Sequence, residues 1–314
     1  MSAGSRWWPR STGLACALLG AVGFSFKAVL VKAAYRYGVD AETLLALRML
    51  YSLPLFLLLG LVAARGAAES ISAADWRALA VLGVLGYYAS SYLDFLGLRH
   101  ISAALERLIL FVYPTIVVLY GAWRARRAPA RATWWALLLC YAGVALVVTH
   151  DLRRGSGDVA IGGALVFASA VCYAVYLLRA APLLVRLGSA RVAAWATAIA
   201  CMAAVVQFLA LRPIATLALQ PWPVHALSVA MAVFSTVLPI WLVSEAIRRL
   251  GAGPTAMIGS LGPPITMLLA WLLLGEALGA LQLLGAALVI GGVRLVAADG
   301  TMIPARTTSK LTGT

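Results

Sequence analysis

The sequence predicts an all-α polytopic membrane protein, with ten transmembrane helices arranged as two inverted five-helix repeats. Three observations lead there: an apolar, charge-poor composition, ten apolar runs joined by short links, and a pattern that recurs 150 positions later. Of 314 residues, 63% are hydrophobic and 11% charged, and the mean hydropathy is +0.95. A soluble domain is about 25% charged, so too few charged side chains remain to cover a water-exposed surface. The net charge of +14 does not indicate nucleic acid as a partner, because the basic residues form no dense patch with interleaved aromatics. They lie between apolar runs, and the bilayer is the expected partner.

A spanning helix needs about 20 mostly apolar residues. The runs 12–34, 42–62, 77–97, 102–122, 133–149, 159–178, 190–211, 226–247, 252–274 and 280–298 qualify. The first follows a basic stretch and resembles a signal sequence. Its small residues around Cys16 arrive before any sufficient apolar stretch, so it reads as a retained span. Cys16, Cys140, Cys172 and Cys201 all fall inside apolar runs without C-x-x-C spacing, as small packing residues do.

The links carry charge unequally. With the N-terminus on side one, sixteen Lys and Arg lie on that side and five on the other. The excess places both termini, including a polar tail at 299–314, in the cytoplasm of a cell-membrane protein. Trp7, Trp8, Trp76, Trp134 and Trp135 then fall near the inner interface, where amphipathic rings are favoured.

The stretch RHISAALERLILFVYPTIVVL (99–119) is followed 150 positions later by RLGAGPTAMIGSLGPPITMLL (249–269), so that Arg99 matches Arg249 and Pro114 matches Pro264. YAGVALV (141–147) parallels IGGVRLV (290–296). Each half holds five spans, and an odd number inverts the second half relative to the first. The link charges agree: WRARRAPARATW after the fourth span is strongly basic, whereas its counterpart LLLGEALGALQ has no basic residue. Inverted repeats characterise secondary transporters, although duplication also builds static bundles and channels.

The segment GSLGPPITMLLAWLLLGEALGALQLLGAALVIGGVRLV (259–296) resembles the EamA domain of the drug/metabolite transporter superfamily. That domain pairs a proline-containing span with an L-G-E turn and a glycine-rich last span. The resemblance covers two repeats, about 13–149 and 161–297. It is looser in the first, where RARRAPARA replaces the L-G-E turn, so a role for that turn falls on Glu276 alone. It implies a ten-helix fold and movement of a small metabolite, such as an amino acid or related amphipathic compound, with export the expected direction. The alternatives are a non-transporting membrane component and a lipid-modifying membrane enzyme.

Charges inside spans are costly and tend to mark function. Lys27, Arg48, Asp94, Glu106 and Arg107 all fall in the outer half of the first repeat's spans and are the candidates for substrate and coupling-ion binding, with protons as the coupling ion. Glu106 and Arg107 project about 100° apart on a helix and do not face each other. Each therefore needs another partner: Arg48 or Lys27 for Glu106, and Asp94 for Arg107. The bland alternative is an ion-pair network that fixes helix register. The candidates for cavity lining are Phe24, Tyr88, Tyr92, Tyr113, Tyr173, Tyr176 and Trp241, with ordinary packing as the other reading. Pro114 and Pro264 are expected to form a paired helix kink. No catalytic constellation, metal-ligand spacing or phosphate-binding glycine loop occurs, so neither enzyme activity nor a cofactor or metal is expected. Oligomeric state leaves no mark in the sequence.

Overall fold

The computed structural model describes residues 8–65, 70–124, 126, 131–153, 158–250, 258–259 and 261–298, and within these it contains helices and turns but no strand. The tail at 299–314, the arginine-rich residues 127–130 and the start of the ninth expected span at 252–257 lie outside the described residues.

The helices are α1 (Trp8–Tyr35), α2 (Ala41–Arg65), α3 (Ala73–Gly97), α4 (Ala103–Leu110), α5 (Tyr113–Arg124) and α6 (Arg131–Arg153). The second half holds α7 (Val159–Leu187), α8 (Ser189–Leu211), a single turn α9 (Ala215–Ala218), α10 (222–250), α11 (Gly262–Leu274) and α12 (Ala280–Ala298). Among the described residues, six stretches are long and apolar enough to cross a membrane: Thr12–Tyr35, Ala41–Arg65, Ala73–Gly97, Val159–Ala180, Ala190–Leu211 and Trp222–Val243. Leu137–Thr149, Gly262–Leu274 and Ala280–Gly292 are shorter apolar helices. Leu58, Leu61, Leu272 and Leu283 are exposed on the outside of the bundle, where lipid is their natural neighbour.

Local signals set the helix ends. Asp40 caps α2: the Thr43 backbone N–H donates to Oδ1 at 2.8 Å and the Thr43 hydroxyl donates to Oδ2 at 2.9 Å. Ser72 and Asp75 form a reciprocal capping box at the start of α3, which satisfies two otherwise orphaned donors. Gly188, at φ +83, turns the chain from α7 into α8 in one residue, a backbone conformation that glycine adopts without steric cost.

The fourth expected span, 102–122, is not one continuous helix. It breaks at Phe111 and Val112 between α4 and α5. Pro114 has no N–H to continue the helical ladder, and the next turn starts on the Val112 carbonyl, which accepts from the Thr115 N–H at 3.1 Å and the Thr115 hydroxyl at 2.6 Å. The expected paired kink is corrected accordingly. Pro114 is the second residue of α5, and Pro264 is in the first turn of α11. At that position a missing N–H costs little, so both prolines open a helix rather than bend one.

The packing follows the repeat. α1 packs on α10, and α7, the first helix of the second half, packs on α3. The second helices, α2 and α8, pack on each other, as do the last, α6 and α12. At that last crossing a Cβ on Gly143 would stand 2.5 Å from the Gly285 carbonyl oxygen, so the glycines permit direct backbone approach. Both third helices also widen into π-helical turns, Gly83–Ala89 in α3 and Val233–Val237 in α10. Their first residues are 150 apart, the offset of the sequence repeat.

Candidate functional site

Three of the five predicted charged residues converge. The Lys27 Nζ of α1 lies 2.7 Å from Asp94 Oδ2 of α3 and 3.1 Å from Glu106 Oε1 of α4. The two carboxylates are buried, 1% and 0% exposed, and Lys27 is 16% exposed. Among the described residues no other cation lies within 4 Å of either carboxylate, so the one ammonium serves both. With both acids ionised, the trio carries a net charge of −1.

The two arginines stand apart from this trio, each held by a threonine of the second repeat. Arg48 of α2 donates from Nε to Thr236 Oγ1 at 3.0 Å, and its guanidinium lies 5.3 Å from the centre of the Phe95 ring. Thr236 sits in the π turn of α10 and donates to the Met231 carbonyl, five residues back, at 2.9 Å. Widened turns leave such carbonyls available and recur at functional sites. The Nη1 of Arg48 is buried without a hydrogen-bond partner.

Arg107 of α4 donates from Nε to Thr266 Oγ1 of α11 at 3.1 Å. The Thr266 hydroxyl in turn donates to the Ser25 carbonyl of α1 at 3.3 Å, and Ser25 Oγ donates to the Ala21 carbonyl at 2.7 Å with the Gly262 carbonyl also within reach at 3.2 Å. The expected Arg107–Asp94 pair is therefore absent among the described residues, and Asp94 pairs with Lys27. The reason is the projection angle: Glu106 turns toward α1 and α3, while Arg107 turns toward α11.

The aromatic candidates separate into groups. Tyr113 and Tyr173 meet edge-to-face at 5.0 Å between ring centres, and Tyr173 stacks on Tyr176 at 5.8 Å. The Tyr176 and Tyr87 hydroxyls are 2.9 Å apart. The helix that carries Tyr173, α7, packs against both α4 and α5, which attaches this cluster to α4. Tyr88 and Tyr92 stack on each other instead, and the Tyr92 hydroxyl donates to Glu42 Oε1 at 3.1 Å. Phe24 packs against the large apolar core. Trp241 is 49% exposed and makes no ring contact with these groups among the described residues.

Residues 11–149 and 160–298 each match the EamA-like transporter family. The chain belongs to that family. It is 32% identical over 287 residues to "Uncharacterized transporter YcbK" of Bacillus subtilis (strain 168), covering 89% of each chain. It is 26% identical over 225 residues, 70% of each chain, to "Threonine/homoserine exporter RhtA" of Escherichia coli (strain K12). A crystal structure at 21% identity shares the fold with a TM-score of 0.61, covering 93% of this chain and 98% of the other. This EamA chain is thus a multi-pass membrane protein of a transporter family.

Sequence reasoning missed the second repeat's contribution. Thr236 and Thr266 are buried hydroxyls in apolar runs, and nothing in residue type or spacing separates them from packing threonines. Another missed contact joins Lys32 Nζ of α1 to Glu276 Oε1 at 3.0 Å. The L-G-E turn gave a signal there, because Glu276 needed a cation and Lys32 lies at the same expected end of the membrane. Gly275, at φ +70, closes α11 just before it.

Proposed function

We propose that this EamA-family chain is a ten-span secondary transporter that exports a small metabolite by alternating access, driven by protons bound at Lys27, Asp94 and Glu106. The observation that carries the reading is the pair of buried carboxylates sharing one lysine. Holding both ionised in a low-dielectric setting is costly, and one bound proton neutralises the trio. The trio draws on α1, α3 and α4, and α1 itself packs against α10 and α11 of the other repeat. A change of charge there therefore acts on the contact between repeats, which is what an exchange of access must alter.

Two supports bear on direction and cargo. The RhtA relative is named as a threonine/homoserine exporter, which favours export and an amino-acid-like compound. Arg48 and Arg107 flank the trio, and each lacks a carboxylate within 4 Å among the described residues. The expected location is the cell membrane with both termini in the cytoplasm. The test is purified protein in proteoliposomes with an imposed pH gradient, offered a panel of radiolabelled metabolites that includes threonine and homoserine. The reading expects gradient-dependent flux of at least one panel member. Flux no greater than in protein-free vesicles for the whole panel would refute it.

A further inference from the structure

Resting on the transporter reading above, we infer that Arg107, Tyr113 and Tyr173 form the substrate site, and that its ligand is an amphipathic monocarboxylate. Arg107 is 8% exposed. Its sole hydrogen bond to a described residue uses Nε, so the two Nη groups stay open in the fork geometry that binds a carboxylate bidentately. Its neighbour Glu106 makes its direct contact with Lys27, at 3.1 Å, and acts on Arg107 only through space. A buried guanidinium with no carboxylate in contact is costly, and an organic anion supplies that contact.

The tyrosines add the second, independent observation. Neither the Tyr113 nor the Tyr173 hydroxyl has a hydrogen-bond partner among the described residues, although both side chains are half-buried. Tyr176 and Tyr87, by contrast, satisfy each other. Polar groups inside a protein are normally partnered, and an acceptor bound at Arg107 supplies a partner to two phenols on α5 and α7, the latter packed against α4. The rings of Tyr113 and Tyr173 are nearly perpendicular, at 88°, and offer an edge and a face to an apolar body. The guanidinium charge disfavours an amine that lacks a carboxylate, so the cluster selects for ligands that carry one, amino acids among them.

The test is equilibrium binding of radiolabelled phenylacetate to the full chain in nanodiscs, with phenethylamine as competitor. Saturable phenylacetate binding is expected, with phenethylamine a poor competitor. Arg107→Gln should weaken binding about tenfold or more, the scale for a hydrogen-bonded charged contact. Arg107→Lys should recover part of that loss by restoring the charge without the fork. No saturable binding to folded wild type, equal competition by phenethylamine, or an Arg107→Gln affinity within twofold of wild type would each overturn the assignment. If Arg107→Gln does not fold, the Tyr113→Phe/Tyr173→Phe double variant decides, a loss of about threefold or more supporting the site and an unchanged affinity overturning it. Binding without flux in proteoliposomes would sink the transport reading alone. Flux with Arg107-independent binding would sink this site alone.

Discussion

Replacing Lys27 by Met keeps the length of the side chain and removes the one cation that serves two buried acids. At an effective dielectric near 20, a contact at 2.7 Å is worth about 6 kcal/mol and one at 3.1 Å about 5 kcal/mol of gross attraction. Desolvation offsets much of that, and proton uptake by the orphaned carboxyls limits the damage. The expected net loss is about 3–5 kcal/mol, the range for breaking a buried pair by removing one partner. The assay is SDS titration of the purified protein followed by tryptophan fluorescence, at neutral pH. Lys27→Met/Glu106→Gln should regain part of the loss, because it removes one stranded charge along with the cation. A Lys27→Met protein within about 1 kcal/mol of wild type, the scale of a solvent-exposed pair, would refute the view that the lysine holds both acids.

Asp40→Ala removes the α2 cap and should cost about 0.5–2 kcal/mol in the same titration. Burial pushes the Asp40 carboxyl up, but hydrogen bonds from Thr43 and the nearby Arg212 outweigh it and hold the group below the usual carboxylate range. A lowered folded-state value means that its stabilisation is present above about pH 4, the unfolded value, and is lost as pH falls below it. Asp40→Asn should therefore flatten the acid limb of the stability curve. Gly143→Ala forces a Cβ to 2.5 Å from the Gly285 carbonyl and should cost about 1–3 kcal/mol by pushing α6 from α12. Glu276→Gln should cost less than about 1 kcal/mol, because both ends of its pair with Lys32 are partly exposed. Reporter tags in the links at 124–131 and 275–280 should be reached by membrane-impermeant reagents from opposite faces.

Much of the fold was legible because bilayer insertion leaves long apolar runs and helix ends leave caps. The run 190–211 corresponds to α8 within a residue, and 280–298 coincides with α12. The break in the fourth expected span was marked by Pro114, but its form, a turn at Phe111 and Val112, was not. The π turns left no local signal. Their positions follow from the repeat offset only once one of them is known.

At the site, cost made the charges legible: an ionised group in an apolar run demands a partner. Sequence named Lys27 among the partners of Glu106, but it misplaced Asp94. The choice between Lys27 and Arg107 depends on how α1 and α3 cross, which residue order does not encode. Thr236 and Thr266 were invisible for the opposite reason. A hydroxyl in a helix can satisfy itself on its own backbone, so its presence demands nothing of the rest of the chain.

The most direct test of proton coupling at the trio is to compare two kinds of transport in proteoliposomes containing Glu106→Gln. With radiolabelled substrate on both sides and no pH gradient, the variant should still exchange it across the membrane. With a gradient imposed, it should fail to accumulate substrate, while wild type accumulates it. Wild-type accumulation by Glu106→Gln at every pH would contradict the account.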